Sequence, residues 1–140
     1  MTDRDKTQTL QNPGGTGQRG AANLDNISTQ ILTDTSNTSV GLLTVLDGAG
    51  KGQIRYVYSG TNQLGRSADN RIALDFGDNT ISRTQHAVIA YDAAQRQFTI
   101  LDGGKPNPVM VNGEQVSGQR RLESGDMIKI GMTTLSFSVL

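Results

Sequence analysis

From Val40 onward the chain reads as short apolar and β-branched runs: GLLTVLD, QIRYVYSG, NQLGRS, RIALDF, HAVIAYD, QFTILDGG, VMVNG, MIKIG and TTLSFSVL. Between them fall DGAGKG, SGT, DGGKPN, NG and ESGD. Gly, Asn and Asp accept positive φ or hydrogen-bond their own main chain, so each cluster marks a reversal of direction. Inside the runs the period is two. In TTLSFSVL, Leu135, Phe137 and Val139 alternate with Thr134, Ser136 and Ser138, and in HAVIAYD, Ala87, Ile89 and Tyr91 oppose Val88 and Ala90. Successive strand side chains point to opposite faces, so this pattern predicts strands with one face buried. None of these segments has a helical period. About 10–11 strands in about a hundred residues, with no helices between them, predict an all-β antiparallel sandwich.

Residues 1–38 have a different texture. They are rich in Thr, Ser, Asn, Gln, Gly and Asp, with scattered Leu24, Ile27, Ile31 and Leu32. Ordering costs roughly 1–2 kcal/mol per residue for the backbone alone, and so little apolar surface cannot offset it. The expectation is a disordered Thr/Gly/Asn-rich tail over 1–38, followed by one domain over 39–140.

Composition then narrows the chemistry. Thirteen basic and thirteen acidic residues cancel and are interspersed, so there is no basic stripe for nucleic acid or an anionic membrane, and neither is expected as a partner. An anion recognised here must be met by a local site. Cysteine is absent and His86 is the only histidine, which excludes disulfides and leaves a poor ligand set for zinc. No metal and no cofactor are expected. The N-terminal MTDRDKTQTLQNPGG lacks the apolar core of a signal peptide, and no stretch approaches a membrane span; the chain reads as soluble and cytoplasmic.

Three connections are richer than a turn requires: LGRSADNR (64–71), GDNTISRTQHA (77–87) and DGGKPNPVMVNG (102–113). They offer Arg66; Ser82, Arg83, Thr84 and His86; and Lys105, Asn107 and Asn112. Converging, they would join a planar guanidinium to hydroxyls and amides with no matching carboxylate, a set suited to phosphate. A nucleophilic triad of Ser82, His86 and Asp78 lacks the strand–turn–helix elbow and the oxyanion hole it needs. Asp75 and Asp78 read as local caps of the backbone. DGAGKG lacks the spacing and following helix of a nucleotide-binding loop and reads as a hairpin tip. On dipeptide preference alone, Asn112-Gly113 is a hairpin turn.

The residues in their order resemble the forkhead-associated (FHA) domain, a phosphothreonine-reading β-sandwich. The resemblance runs from about Gly41 to Leu140. It is carried by Gly65-Arg66, by Ser82, Arg83, His86 and Ala87, by Asn107, and by Val111-Asn112-Gly113 with Val116. A closing run of Leu122, Gly125, Asp126, Ile128, Ile130 and Gly131 completes it. It implies a non-enzymatic phosphothreonine-peptide-binding adaptor in Ser/Thr kinase signalling, partnered by a phosphothreonine protein and a Ser/Thr kinase. In that reading Arg66 grips the phosphate in bidentate fashion, and Ser82 adds its hydroxyl and its backbone N–H. Asn107 bonds the ligand backbone, Arg83 and Thr84 add a further phosphate contact, and Asn112 lies near the ligand. His86 braces the loops from beneath, and Gly65 permits close backbone approach.

Two features depart from the family pattern. Three residues separate Ser82 from His86 where the family has two, and Asn107 is followed by Pro108-Val109 rather than Gly-Thr. They leave open a second reading, an FHA-like module that binds a partner protein independently of phosphorylation. In the tail, Thr7, Thr29, Thr33 and Thr35 are candidate phosphorylation sites, whose capture by the domain of the same chain or of a second copy would close it to outside ligands.

Overall fold

A computed structural model describes residues 37–140. The expectation of a disordered tail over 1–38 falls, but for residues 37 and 38, outside the described residues, as does that of phosphorylation at Thr7, Thr29, Thr33 and Thr35. Each of the nine runs read above contains a strand, and two more follow the Asn112-Gly113 turn. In chain order they are β1 (Ser39–Asp47), β2 (Ile54–Tyr58), β3 (Gly60–Gly65), β4 (Ile72–Ala73), β5 (Ala87–Asp92) and β6 (Gln97–Asp102). The remainder are β7 (Val109–Val111), β8 (Glu114–Gln115), β9 (Gln119–Leu122), β10 (Met127–Ile130) and β11 (Thr133–Val139).

The strands form two sheets, ordered β2-β1-β11-β10-β7-β8 and β4-β3-β5-β6-β9. Pairing is antiparallel with one exception: β4 lies parallel to β3, Leu64 opposite Ile72. The 66–71 loop carries the chain back to the level of Leu64, so the next residues enter in the same direction. Inward positions follow the alternation: Leu43 and Val45 of β1, Ile89 of β5, Ile100 of β6, Ile128 and Ile130 of β10, and Leu135 and Phe137 of β11 are all buried. Each such side chain contributes about 1.5–3 kcal/mol by leaving water. Phe98 stacks against Tyr91 at 4.5 Å and meets Phe137 edge-on at 4.8 Å. Val139 continues the alternation but sits at the end of β11 and is 49% exposed.

Register determines which loops share an end. Ile130 pairs with Val109 and Ile128 with Val111, so Asn107 and Pro108 lie toward the Gly131 end of β10. The Asn112-Gly113 turn lies toward Met127, at the other end. With φ of 52° and 83° at its two central residues, that turn is a type I′ hairpin. No helix among the described residues is long and apolar enough to cross a membrane.

Candidate functional site

The loop after β3 and the loop before β5 are stitched together by their main chains. Arg66 N–H donates to Ser82 O at 2.9 Å and Ser67 N–H to Arg83 O at 2.8 Å. Arg66 and Ser82 are therefore neighbours. The Arg66 Nε–H donates to the Ile81 carbonyl at 3.0 Å, which fixes one edge of the guanidinium. Among the described residues its two terminal nitrogens have no hydrogen-bond partner and no carboxylate within ion-pair distance. That leaves a planar fork of donors with its geometry set and its charge unspent.

The Ser82 hydroxyl likewise has no partner among the described residues. Its backbone N–H does: it donates to His86 Nδ1 at 2.8 Å. The expectation that this N–H would bond the phosphate is corrected, because the imidazole already holds it. His86 is fully buried. Its Nδ1 accepts, and its Nε2 lies 2.7 Å from the Asn107 carbonyl oxygen, so the neutral ring with the proton on Nε2 satisfies both contacts. The main chain of His86 also donates to Leu64 O at 2.7 Å, and its carbonyl accepts from Gly103 N at 3.0 Å. One residue thus ties together the end of β3, the Ser82 loop and the 103–108 loop. The ring is committed to Ser82 N and Asn107 O, and Asp78 is engaged elsewhere. The three are not arranged as nucleophile, base and orienter.

Asn107 is exposed. Its Nδ2 donates to Thr80 O at 2.8 Å, while its Oδ1 has no partner among the described residues and can accept a main-chain N–H from a ligand. Arg83 and Thr84 are exposed, and their side chains make no hydrogen bond among the described residues. The longer interval between Ser82 and His86 is absorbed by Gln85, whose φ is 46°. Its N–H is held by Asn70 Oδ1 at 2.9 Å, so the extra residue bulges without pulling Ser82 off the ring.

Asn70 is the functional residue that the sequence reading passed over. It is buried, and its Nδ2 donates to Ser67 O at 2.7 Å and to Arg83 O at 2.9 Å. The available signal was an Asn three residues beyond a serine in a polar loop, the kind of residue that caps a turn; its reach to Arg83 and Gln85 was not in that signal. Asn70 also explains Gly65. A Cβ at Gly65 would lie 2.7 Å from both amide atoms of Asn70 and 2.8 Å from Arg83 O. Gly65→Ala should cost about 1–3 kcal/mol by overpacking as it spreads the two loops. Chemical denaturation of the variant beside the wild type checks it.

Asp78 does more than cap a turn. Its carboxylate accepts from the Thr80 N–H and hydroxyl, from Met132 N–H at 2.9 Å and from the Thr133 hydroxyl at 2.7 Å. It thereby pins the Ser82 loop to the β10–β11 turn. Burial alone would raise its pKa, but these hydrogen bonds from Thr80, Thr133 and Met132 outweigh burial and hold the carboxyl below its ordinary 3.8. A depressed carboxyl stabilises the fold fully above the unfolded value, and that stability is lost as pH falls from 3.8 through the lower folded value. The Tm gap between wild type and Asp78→Asn should be several degrees near neutral pH and should close in this acid window. A gap independent of pH would remove the carboxylate from this role.

Asn112 is not brought to this rim. Its Nδ2 donates to Asp126 at 3.0 Å, its Oδ1 accepts from Met127 N at 2.9 Å, and its own N–H donates to Met127 O at 2.8 Å. The expectation of a ligand contact there is corrected: β7 separates its two ends, and the side chain is used in closing the hairpin onto β10.

The site can be set beside known proteins. The FHA domain model matches residues 62–131, half of the 140-residue chain. A solved structure from work on phosphothreonine-dependent FHA domain interactions is 26% identical with a TM-score of 0.61, covering 71% of this chain and 96% of that one. Mycobacterium tuberculosis EmbR in complex with a low-affinity phosphopeptide is 28% identical with a TM-score of 0.61, covering 72% of this chain and 24% of that one. The human protein "Angiogenic factor with G patch and FHA domains 1" is 33% identical over 82 residues, 54% of this chain, which spans 11% of that relative's length. FHA domains are phosphothreonine-peptide-binding modules, and with half of its length matched by their model, this chain belongs to the FHA domain family.

Proposed function

We propose that this protein binds phosphothreonine-containing segments of partner proteins through Arg66, Ser82 and Asn107, as a non-enzymatic adaptor in Ser/Thr kinase signalling. The observation that carries the reading is Arg66, whose guanidinium is tethered among the described residues only at Nε, next to a Ser82 whose hydroxyl has no partner among them. Phosphorylation adds about 1.5–2 negative charges and three strong acceptor oxygens, partners that plain threonine cannot supply. Each charge-assisted hydrogen bond is worth roughly 1.5–3 kcal/mol, so two or three give about a hundredfold to many-thousandfold preference. Arg83 and Thr84 are within the same loop and add to the positive, donor-rich rim. Total affinity should lie near the micromolar level, about 8 kcal/mol, since an extended peptide must be ordered on a small contact area.

The kinase enters through the chemistry of the ligand, because a phosphothreonine exists only where a Ser/Thr kinase has acted. A phosphate on Thr7, Thr29, Thr33 or Thr35 would supply the same ligand chemistry from the protein itself. A full chain phosphorylated there should take up external phosphopeptide less readily, and undiminished uptake in native mass spectra would dismiss self-capture.

The test of the main reading is a phosphothreonine peptide library titrated beside its dephosphorylated twin. At least a hundredfold preference for the phosphorylated form is expected; equal binding would reject it. The reading as a phosphate-independent module rested on the longer Ser82–His86 interval and on Pro108. Gln85 absorbs the first by its left-handed backbone, and Asn107 still bridges to Thr80 and His86 beside the second.

A further inference from the structure

Asn107 and Thr80, joined at the rim through Asn107 Nδ2–H and Thr80 O, also border a pocket of about 310 Å³ together with Pro108, Met110, Lys129 and Met132. Register explains the grouping. Met110 of β7 lies opposite Lys129 of β10, and both face outward, because Val109, Val111, Ile128 and Ile130 beside them are buried. Met132 is held alongside by its own N–H, which donates to Asp78 Oδ2 and Thr80 Oγ1, each at 2.9 Å. The pocket therefore continues the rim and is fixed by the bonds that place Asn107 and the Ser82 loop.

Its chemistry differs from that of the rim. Proline offers no N–H, and the two thioether side chains are apolar, polarisable and adapt to the shape of what covers them. Met132 is 69% exposed, so a covering group has apolar surface to remove from water. Lys129 is exposed and has no carboxylate within ion-pair distance among the described residues, and its charge disfavours a Lys or Arg occupant. The space is far larger than a methyl group, so the methyl of the phosphothreonine itself would not fill it. The family resemblance gives no role to Pro108, Met110, Lys129 or Met132, and Pro108 stands where the family has Gly.

We propose that this pocket takes one large apolar side chain of the same phosphothreonine segment that the rim binds. The occupant follows from continuity. A peptide whose main chain bonds Asn107 Oδ1 runs along the wall that the rim and the pocket share, and in an extended chain alternate side chains turn to one side. The proposal rests on the phosphothreonine reading and narrows the class of segment bound: a phosphothreonine with Leu or Phe close by is preferred to one flanked by small or basic residues.

The experiment titrates the full chain with phosphothreonine peptides in an alanine background, each carrying one Leu, Phe or Lys at successive positions on either side of the phosphothreonine. At one position Leu and Phe should tighten binding about tenfold or more over Ala, and Lys should not. In M110S/M132S that gain should be lost, while the all-alanine phosphopeptide binds as it does to the wild type. K129E, at an exposed position, should relax the discrimination against Lys at the same place. Equal affinity for Ala, Leu and Phe at every position, or an apolar gain that survives in M110S/M132S, overturns the proposal and leaves phosphothreonine recognition standing. Should melting curves show the double variant unfolded, K129E decides: unchanged discrimination against Lys overturns the proposal. Alike binding of the phosphorylated and plain alanine peptides would instead sink the phosphothreonine reading, and this proposal with it.

Discussion

Arg66→Ala should weaken phosphothreonine-peptide binding by about a hundredfold to several-thousandfold, since it removes two or more charge-assisted bonds of about 1.5–3 kcal/mol each. Weak binding of the unphosphorylated peptide should not change, because the lost bonds are made to the phosphate. The fold should survive: among the described residues the side chain contributes one half-buried bond, Nε–H to Ile81 O, worth about 0.5–1.5 kcal/mol. Arg66→Lys should recover only part of the affinity, since an ammonium keeps the charge but lacks the fork and the Nε tether. Fluorescence anisotropy with a labelled phosphopeptide, with a melting curve as the control for folding, measures all three. Wild-type affinity in Arg66→Ala would remove the phosphate grip from this rim.

His86→Ala should act on stability and binding together. Truncating a fully buried ring leaves a cavity, and it also strands the Ser82 N–H and the Asn107 carbonyl that the ring now satisfies. Large-to-small changes at buried rings cost about 3–5 kcal/mol, and an unsatisfied buried group adds about 1–3 kcal/mol. For a domain of this size that corresponds to a fall in Tm of about 12 °C or more. Binding should weaken even at temperatures where the variant is folded, since the Ser82 and Asn107 loops lose their common brace. Urea denaturation and anisotropy at low temperature separate the two effects. A stable variant with intact affinity would show that the loops hold their places without the ring.

The strands that could be read from sequence are those with alternation and enough apolar residues to show it. TTLSFSVL and HAVIAYD declare their faces, and Leu135, Phe137, Ala87 and Ile89 are buried as read. β8 and β9 are spelled EQ and QRRL, with one apolar residue between them, because strands at the sheet edges bury little and need no alternating pattern. The parallel entry of β4 was equally hidden, for two residues carry no direction.

The site divides in the same way. The resemblance to the FHA domain singles out Arg66, Ser82, Asn107 and His86, and the structure brings their loops together. What the chain's own pattern determined was the alternating core, the turn positions and the inventory of donors. Tertiary structure alone decided who bonds whom. It gave the Ser82 N–H to His86, made Asn70 the tie between two loops and let Gln85 take up an extra residue. It also carried Asn112 to the far end and joined Asp78 to Met132 and Thr133, 54 and 55 positions away. Apart from Ser82 and His86, four residues apart in one loop, these partners come from segments distant in sequence, and a hydrogen bond is set by where two atoms meet in space.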